Sequence, residues 1–385
     1  MVTAKILNKN HVKQKGFPTL LSGMIAVMLL AQTTQAQAAD DGAPLHGFAD
    51  VGYSAQSFES PDNRGFNVGS LDFYLTPQFD DNTRALIELI FEATSDGGLA
   101  TDLERVQLGY AFNDNLTLWA GRFHSPYGYW NTALHHGSQI QTSILRPRFI
   151  DFEDKGGILP AHMVGLMGTG KVRAGDGKLS YDVFAGNGPS MDMTGGMGVL
   201  TIGMSGDSNH QAMVGANLGY EFGGMADGLR LAVSGLTGDV DGPAGAPTTN
   251  IVELSVANFT AVYIANDWEV MGEYYRFSNK NKLVGGTPAS TSYSSWADYL
   301  QVGRNFDGVT LYLRAEKTKL DQADQYFAMM ANGQSYARQA LGLKYDVNAK
   351  SALKFELLNS KFVADAAHGA GTSYRSFLAQ YAIRF

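Results

Sequence analysis

Along most of the chain, apolar and polar residues alternate one for one. Ala85, Ile87, Leu89, Phe91 and Ala93 interleave with Arg84, Glu88 and Glu92, and Val309, Leu311, Leu313 and Ala315 with Thr310, Tyr312, Arg314 and Glu316. A period of two gives an extended segment one apolar and one polar face, as a strand covered on one side requires. From His46 onward almost nothing repeats at 3.6 residues. The alternation predicts sixteen strands, over 45–56, 66–79, 83–93, 102–112, 115–123, 162–173, 178–186, 210–222, 229–238, 251–265, 268–277, 294–306, 309–317, 336–347, 351–359 and 373–385. Over 251–265 and 294–306 the pattern does not say which face is polar.

The strands pair across tight turns that carry Asp beside Asn or Gly: Asp80-Asp81-Asn82, Asn113-Asp114-Asn115, Gly175-Asp176-Gly177, Asp227-Gly228, Asn266-Asp267 and Asp307-Gly308. These residues tolerate the positive φ of short hairpins. Between the hairpins run longer connections rich in Gly and Ser, such as Gly186 to His210 and Gly238 to Asn250. Strands entering the short turns end in Phe79, Phe112, Phe222, Phe306, Tyr345 and Phe385, and Trp268 follows one turn. Aromatic residues at one height mark a membrane interface, and short turns at one end with long loops at the other mark a transmembrane barrel. The predicted fold is all-β: a transmembrane antiparallel β-barrel of about sixteen strands, with both ends of the barrel segment on the short-turn side.

Composition narrows the choice. Glycine, at 45 of 385 residues, has no Gly-X-Y period. Mean hydropathy is −0.13, and outside the N-terminus no uncharged apolar run is long enough for a spanning helix. The 37 acidic and 29 basic residues argue against a nucleic-acid partner, and the absence of cysteine removes disulfides, thiol catalysis and Cys-ligated zinc. Residues 1–38 hold Lys5, Lys9, Lys13 and Lys15 without an acid, then an apolar stretch from Phe17 to Leu30, then Ala36-Gln37-Ala38. That order predicts a cleaved signal peptide, leaving 39–385 as the barrel. Without those four lysines 25 basic residues face the 37 acids, a charge of −12. Eight of the acids sit in short turns: Asp80, Asp81, Asp114, Asp176, Asp227, Asp267, Asp307 and Asp346.

The last strand alternates through Phe377, Ala379, Tyr381, Ile383 and Phe385. Here the chain resembles the outer-membrane porins of Gram-negative bacteria, and the resemblance implies that Tyr381, Ile383 and Phe385 are read by the barrel-assembly machinery. Successive strand-then-turn positions lie 33–49 residues apart, except for 61 between Phe112 and Arg173. The excess falls in the third long loop, 124–161. A closed sixteen-strand barrel leaves an aqueous lumen into which such a loop can fold. This arrangement resembles the sixteen-stranded trimeric porins, whose third loop forms the constriction; the resemblance implies a homotrimer. The segment Trp119-Ala120-Gly121-Arg122-Phe123-His124-Ser125-Pro126-Tyr127-Gly128 resembles, more weakly, the phosphate-selective porin class. That class has an arginine-rich eyelet, whereas here Arg146, Arg148 and Lys155 are balanced by Asp151, Glu153 and Asp154, so anion selectivity does not carry over.

Polar-face positions expected to line water are Arg84, Glu88, Glu92, Arg105, Gln107, Glu269, Glu273, Arg314, Glu316, Arg338, Lys344, Lys354 and Glu356. Neighbouring charges of opposite sign brace the wall, and opposed rows set a transverse field in the eyelet. Arg84, Glu88, Arg105, His124, His135, His136, Arg146, Arg148, Asp151, Glu153, Arg314 and Glu316 are the candidate pore-lining or constriction residues. The run from Arg146 to Gly157 reads as an internal brace whose charges satisfy one another. His124, His135, His136 and His162 have no metal-ligand spacing, and adjacent imidazoles do not readily face one ion; no metal or cofactor is expected. These readings converge on a passive pore for small hydrophilic solutes or ions in a Gram-negative outer membrane, with lipid around it and no bond chemistry. The alternatives are a surface receptor or adhesin using the long loops, and a barrel hydrolase, for which no nucleophile–base spacing stands out.

Overall fold

The computed structural model describes residues 45–56, 64–94, 97–153, 155–193, 197–204, 206–207, 211–242 and 250–385. The expected signal peptide, 1–38, and Asp154 lie outside the described residues. The barrel strands, numbered in chain order, are β1 Leu45–Gln56, β2 Gly65–Leu75, β3 Thr83–Ala93, β4 Leu99–Asn113, β5 Leu116–His124, β6 His162–Ala174, β7 Gly177–Asn187 and β8 Ala212–Glu221. They continue as β9 Leu229–Asp241, β10 Asn250–Ala265, β11 Trp268–Asn281, β12 Ser292–Phe306, β13 Val309–Lys319, β14 Tyr336–Asn348, β15 Ser351–Phe362 and β16 Ser373–Arg384. Each pairs antiparallel with its chain neighbours, and β1 closes on β16 from Phe48↔Arg384 to Gln56↔Ser376. All sixteen predicted strands are present. β2 stops at Leu75, short of the predicted 79, because Pro77 cannot donate to a ladder. Several others run further at the long-loop end, β11 to Asn281 and β15 to Phe362.

The short turns have the conformations their residues favour. Asn266 and Asp267, at φ 52° and 65°, join Ala265 to Trp268, and Asp307 and Gly308, at 52° and 87°, join Phe306 to Val309. Two consecutive positive φ values match the twist of a two-residue hairpin. At the β2–β3 turn the Asp80 carboxylate accepts hydrogen bonds from the N–H groups of Asn82 and Thr83, both at 2.8 Å.

The outer face is a belt of exposed leucine, valine and phenylalanine, including Leu108, Leu166, Val183, Val233, Phe259, Leu300, Leu313, Leu341 and Leu357. Phe79, Phe112, Trp268, Phe306, Tyr345 and Phe385 are exposed at the short-turn end. Such a surface is stable only against lipid.

The inner face has two unlike walls. From β5 to β12 it is largely apolar: Trp119, Phe123, Met163, Met167, Phe184, Met213, Leu236, Val240, Leu254, Val256, Met271, Tyr275, Phe277 and Tyr299 join one buried cluster. From β13 through β16 and on to β4 it carries Arg314, Glu316, Arg338, Lys344, Lys354, Glu356, Gln380, Asp50, Asp72, Glu88 and Arg105. What lies between the walls comes from the loops.

Candidate functional site

The connection from Ser125 to Ala161 lies across the inside of the barrel. Its ends are tied by Ser125 N donating to Ala161 O at 2.8 Å, and by the Asn131 amide, which donates to Ser125 O and Ala161 O at 2.8 and 2.9 Å. Its short helix, Tyr129–Ala133, starts against β11. Glu273 there accepts from Tyr129 N and Trp130 N at 3.1 and 3.2 Å, and from the hydroxyls of Tyr275 and Tyr299 at 2.6 and 2.8 Å. Gly128, at φ 63°, brings the backbone so close that a β-carbon would sit 2.2 Å from both Glu273 Oε2 and the Tyr275 hydroxyl; only glycine fits.

Apolar burial holds this half of the loop. Trp130, Phe149, Ile150, Ile158 and Leu159 are at most 3% exposed and share the cluster with Tyr275, Phe277, Tyr326 and Phe327. Phe149 lies edge-on to Tyr275 at 5.4 Å between centroids. Burying a side chain of this size contributes roughly 1.5–3 kcal/mol. The last two residues come from the 320–335 connection, whose helix Gln325–Met329 is capped by Asp324 accepting from Tyr326 N at 3.0 Å.

The charged wall holds the other half through directed contacts. Arg314 donates to Ser143 Oγ, Leu145 O and Glu316 at 2.9, 2.8 and 2.9 Å. Lys354 reaches Ser138 O and Ser143 O. Glu356 accepts from Ile144 N at 3.1 Å and Glu316 from Arg148 N at 3.0 Å; from the opposite wall, Glu269 of β11 accepts from Thr142 Oγ1 at 2.6 Å. Arg314, Glu316, Glu273, Lys354 and Glu356 therefore face inward, as the alternation predicts, but at 0–3% exposure they lie under the loop and line no open water. The expectation of water-lining positions is corrected for these five, because alternation assigns a face and not what covers it.

Beside the loop an open cavity of about 310 Å³ runs along the charged wall. His135, His136, Arg146, Arg148, Asp151 and Lys155 line it from the loop, and Asp50, Ser70, Glu92, Arg338 and Gln380 from β1–β3, β14 and β16. Arg84 lies in a second cavity of about 370 Å³ at the short-turn end, with its guanidinium 5.1 Å over the Trp119 ring. Glu88 and Arg105 form a cross-strand ion pair.

The run from Arg146 to Gly157 is not self-satisfied. Lys155 pairs with Glu92 on β3 at 2.7 Å, Arg148 reaches Asn332, and Glu153 accepts from His162. Arg146 stacks its guanidinium 4.2 Å over Phe152, and its three nitrogens, all buried, have no hydrogen-bond partner. Burial lowers the Arg146 pKa from its ordinary value and raises that of Asp151, the latter opposed by Arg146 and Lys155.

The histidines, remote from one another in sequence, converge. His124 at the end of β5 is the cross-strand partner of His162 at the start of β6, and His135 of the loop stacks on His124 with centroids 3.5 Å apart. Glu104 joins them because β4 bulges there: Glu88 pairs with Arg105 and Leu89 with Leu103, leaving Glu104 unopposed. Bulges re-aim side chains in this way. One ligand atom from each of Glu104, His124, His135 and His162 falls within 4.8 Å of the others. His136 contacts Glu104 at 3.2 Å but stands outside that group, against Phe152. The spacing argument against convergence is thus corrected for three of the histidines. Glu104 carried no signal in the sequence, since a bulge breaks the count of two.

No family model matches the chain, and no curated protein sequence matches it. Solved structures do. OmpT, an outer membrane protein of Vibrio cholerae in its trimer form, aligns at 13% identity over 89% of this chain and 98% of that one, with a TM-score of 0.56. An anion-selective porin from Comamonas acidovorans aligns at 14% over 89% and 98%, TM-score 0.56. The outer membrane channel DcaP of Acinetobacter baumannii aligns at 13% over 89% and 96%, TM-score 0.55. The chain has the fold of the sixteen-stranded outer-membrane porins.

Proposed function

We propose that this chain is a passive pore of a Gram-negative outer membrane, admitting small hydrophilic solutes or ions through a passage between the 125–161 loop and the charged wall. The observation that carries the proposal is the docked loop beside an open cavity lined by charged and apolar side chains alike. In such a channel the lining sets size and charge limits and no bond is made or broken.

The passage favours anions in this reading. Glu92 is neutralised by Lys155, and Asp50 is engaged by Ser70 N at 3.3 Å and Gln380 at 3.0 Å. Arg146, Arg148 and Arg338 line the same space against Asp151, and the Arg146 guanidinium, its nitrogens buried, acts on the passage through its charge. The acids of the short turns lie away from this constriction. By analogy with the trimer form of the Vibrio protein, the chain assembles as a homotrimer, and the end of β16 serves the barrel-assembly machinery. Phe385, which exchanges backbone hydrogen bonds with Gly47 and packs on Phe73 at 5.7 Å, is the residue that machinery would read. Phe385→Ser should lower the amount of folded barrel in the membrane; normal levels would remove that role.

The test is a planar bilayer holding the purified protein across a salt gradient. Discrete conductance steps with a reversal potential of anion-selective sign are expected, and Arg146→Gln should move that potential toward zero. Absence of steps would overturn the pore, and a cation-selective sign the anion preference.

A further inference from the structure

Beside the passage, where β4, β5 and β6 meet beneath the loop, the side chains of His135, His162, Glu104 and His124 form a buried N/O cluster of which only His135 borders the passage. We propose that it is a binding site for a divalent first-row transition cation of the zinc type, and that the bound ion rivets the loop to the barrel wall.

The hydrogen bonds around the cluster fix which atoms face its centre. Asn131 spends both amide hydrogens on Ser125 O and Ala161 O, so its oxygen points at His135 Nδ1, 3.0 Å away, and must be the acceptor. His135 therefore carries its hydrogen on Nδ1 and aims the lone pair of Nε2 inward. That Nε2 lies 3.0 Å from His162 Nε2 and 4.0 Å from Glu104 Oε2. His162 turns its other nitrogen, Nδ1, to Glu153 Oε2 at 3.0 Å, while Glu153 Oε1 accepts from His162 N. His162 Nε2 and Glu104 Oε2 contact each other directly.

Two imidazoles thus present Nε2 to one point while Nδ1 of each is held by a fixed oxygen acceptor. Ligating histidines are supported in this manner, one by a carboxylate in the carboxylate–histidine–metal pattern. Donors at about 2.0–2.1 Å from a tetrahedral ion are roughly 3.3 Å apart; the 3.0 and 4.0 Å separations bracket that value, and the directly touching His162–Glu104 pair must part to admit the ion. His124 supplies a fourth nitrogen within 4.8 Å; its Nε2 makes no hydrogen bond and faces the Glu88 carboxylate at 3.5 Å. An imidazole-rich set with one carboxylate suits zinc, copper or nickel rather than calcium or magnesium. The incoming cation takes the place of the proton shared between His162 and Glu104, which leaves to solvent.

The ligands also define what binding does. Glu104, His124 and His162 belong to three adjacent wall strands, and His135 to the loop that crosses the lumen. One ion would join all four, adding a bond between loop and wall at the edge of the passage.

Isothermal titration of the untagged full chain in detergent with zinc chloride, and the visible spectrum of its cobalt form, test the site. One ion per chain and the absorption of tetrahedral cobalt are expected. His135→Ala and Glu104→Gln should each weaken binding about 100-fold or more, and Asn131→Ala, which frees His135 to rotate, roughly 10-fold. His368→Ala, whose imidazole is held by Asp365 and Met330 O away from the cluster, should leave binding unchanged. No heat and no cobalt band for the wild-type chain up to millimolar metal would overturn the proposal without any variant. So would binding that survives His135→Ala and Glu104→Gln, or binding lost equally in His368→Ala. None of these readouts depends on conductance, so the site stands or falls separately from the pore.

Discussion

The two inner walls of this barrel are built from the same kind of strand and hold the same loop by largely different means, with Glu269 and Glu273 as the polar anchors on the apolar side. On the β5–β12 side, Leu254, Val256, Tyr275 and Phe277 bury the loop's Trp130, Phe149, Ile158 and Leu159 in a dry cluster. On the β13–β16 side, Arg314, Glu316, Lys354 and Glu356 hold its backbone by directed hydrogen bonds, and the open cavity lies beside them. Apolar packing is insensitive to direction but leaves no polar route; ion-paired anchoring fixes geometry and leaves room for solute. A loop clamped from one side by burial and from the other by charge can narrow a lumen without filling it.

The sharpest way to break the comparison is to remove a charged anchor. Arg314→Met takes away the donor to Ser143, Leu145 and Glu316 and leaves buried carboxylates uncompensated, which should cost roughly 3–5 kcal/mol and release the middle of the loop. Single-channel records should become noisier and larger in conductance. Next comes the same change made on both walls. Leu254→Gln places an amide in the apolar cluster, where Leu254 is 0% exposed, and should cost roughly 2–4 kcal/mol. Leu378→Gln, beside the open cavity, should cost under about 1 kcal/mol. The temperature at which the folded band on a gel converts to the unfolded one reads both.

Gly128→Ala should cost roughly 1–3 kcal/mol, because its β-carbon meets Glu273 and Tyr275 at a positive φ; channel noise without loss of the barrel band is the expected result. The last effect is one of pH and concerns Asp324 behind the apolar wall. Burial raises its pKa to about 6, partly offset by Tyr326 N–H and Asn279. The folded protein then holds this proton more tightly than the unfolded chain, so the group stabilises below about pH 4 and that contribution falls as pH rises through 6. Asp324→Asn keeps an oxygen for the cap and has no charge to bury. Its thermal advantage over wild type should grow between pH 4 and 6.5 and then level off, reaching at most about 2–3 kcal/mol; an advantage independent of pH would refute the assignment.

Much of this architecture is legible in the chain. A period of two and Asn/Asp/Gly turns name each strand and hairpin, and the 61-residue interval marks the loop. The facing ambiguity at 251–265 and 294–306 was itself informative. Those segments become β10 and β12, which have apolar residues on both faces because one meets lipid and the other the loop. What alternation cannot convey is cover: Glu273, Arg314 and Lys354 look like water-lining charges until a loop from over a hundred residues away lies on them. The histidine cluster is hidden for a related reason. His124, His135 and His162 are brought together by strand pairing and loop closure, and Glu104 by a bulge that no local pattern marks.

The absence of cysteine gives the central claim, that the water path follows the charged wall and avoids the apolar one, a clean measurement. Ser70→Cys lines the cavity, and Val256→Cys lies in the apolar cluster. Each channel is recorded in a bilayer while a charged thiol reagent is added. The account predicts a stepwise, irreversible change of conductance for Ser70→Cys and none for Val256→Cys. Modification of Val256→Cys with Ser70→Cys untouched would contradict it.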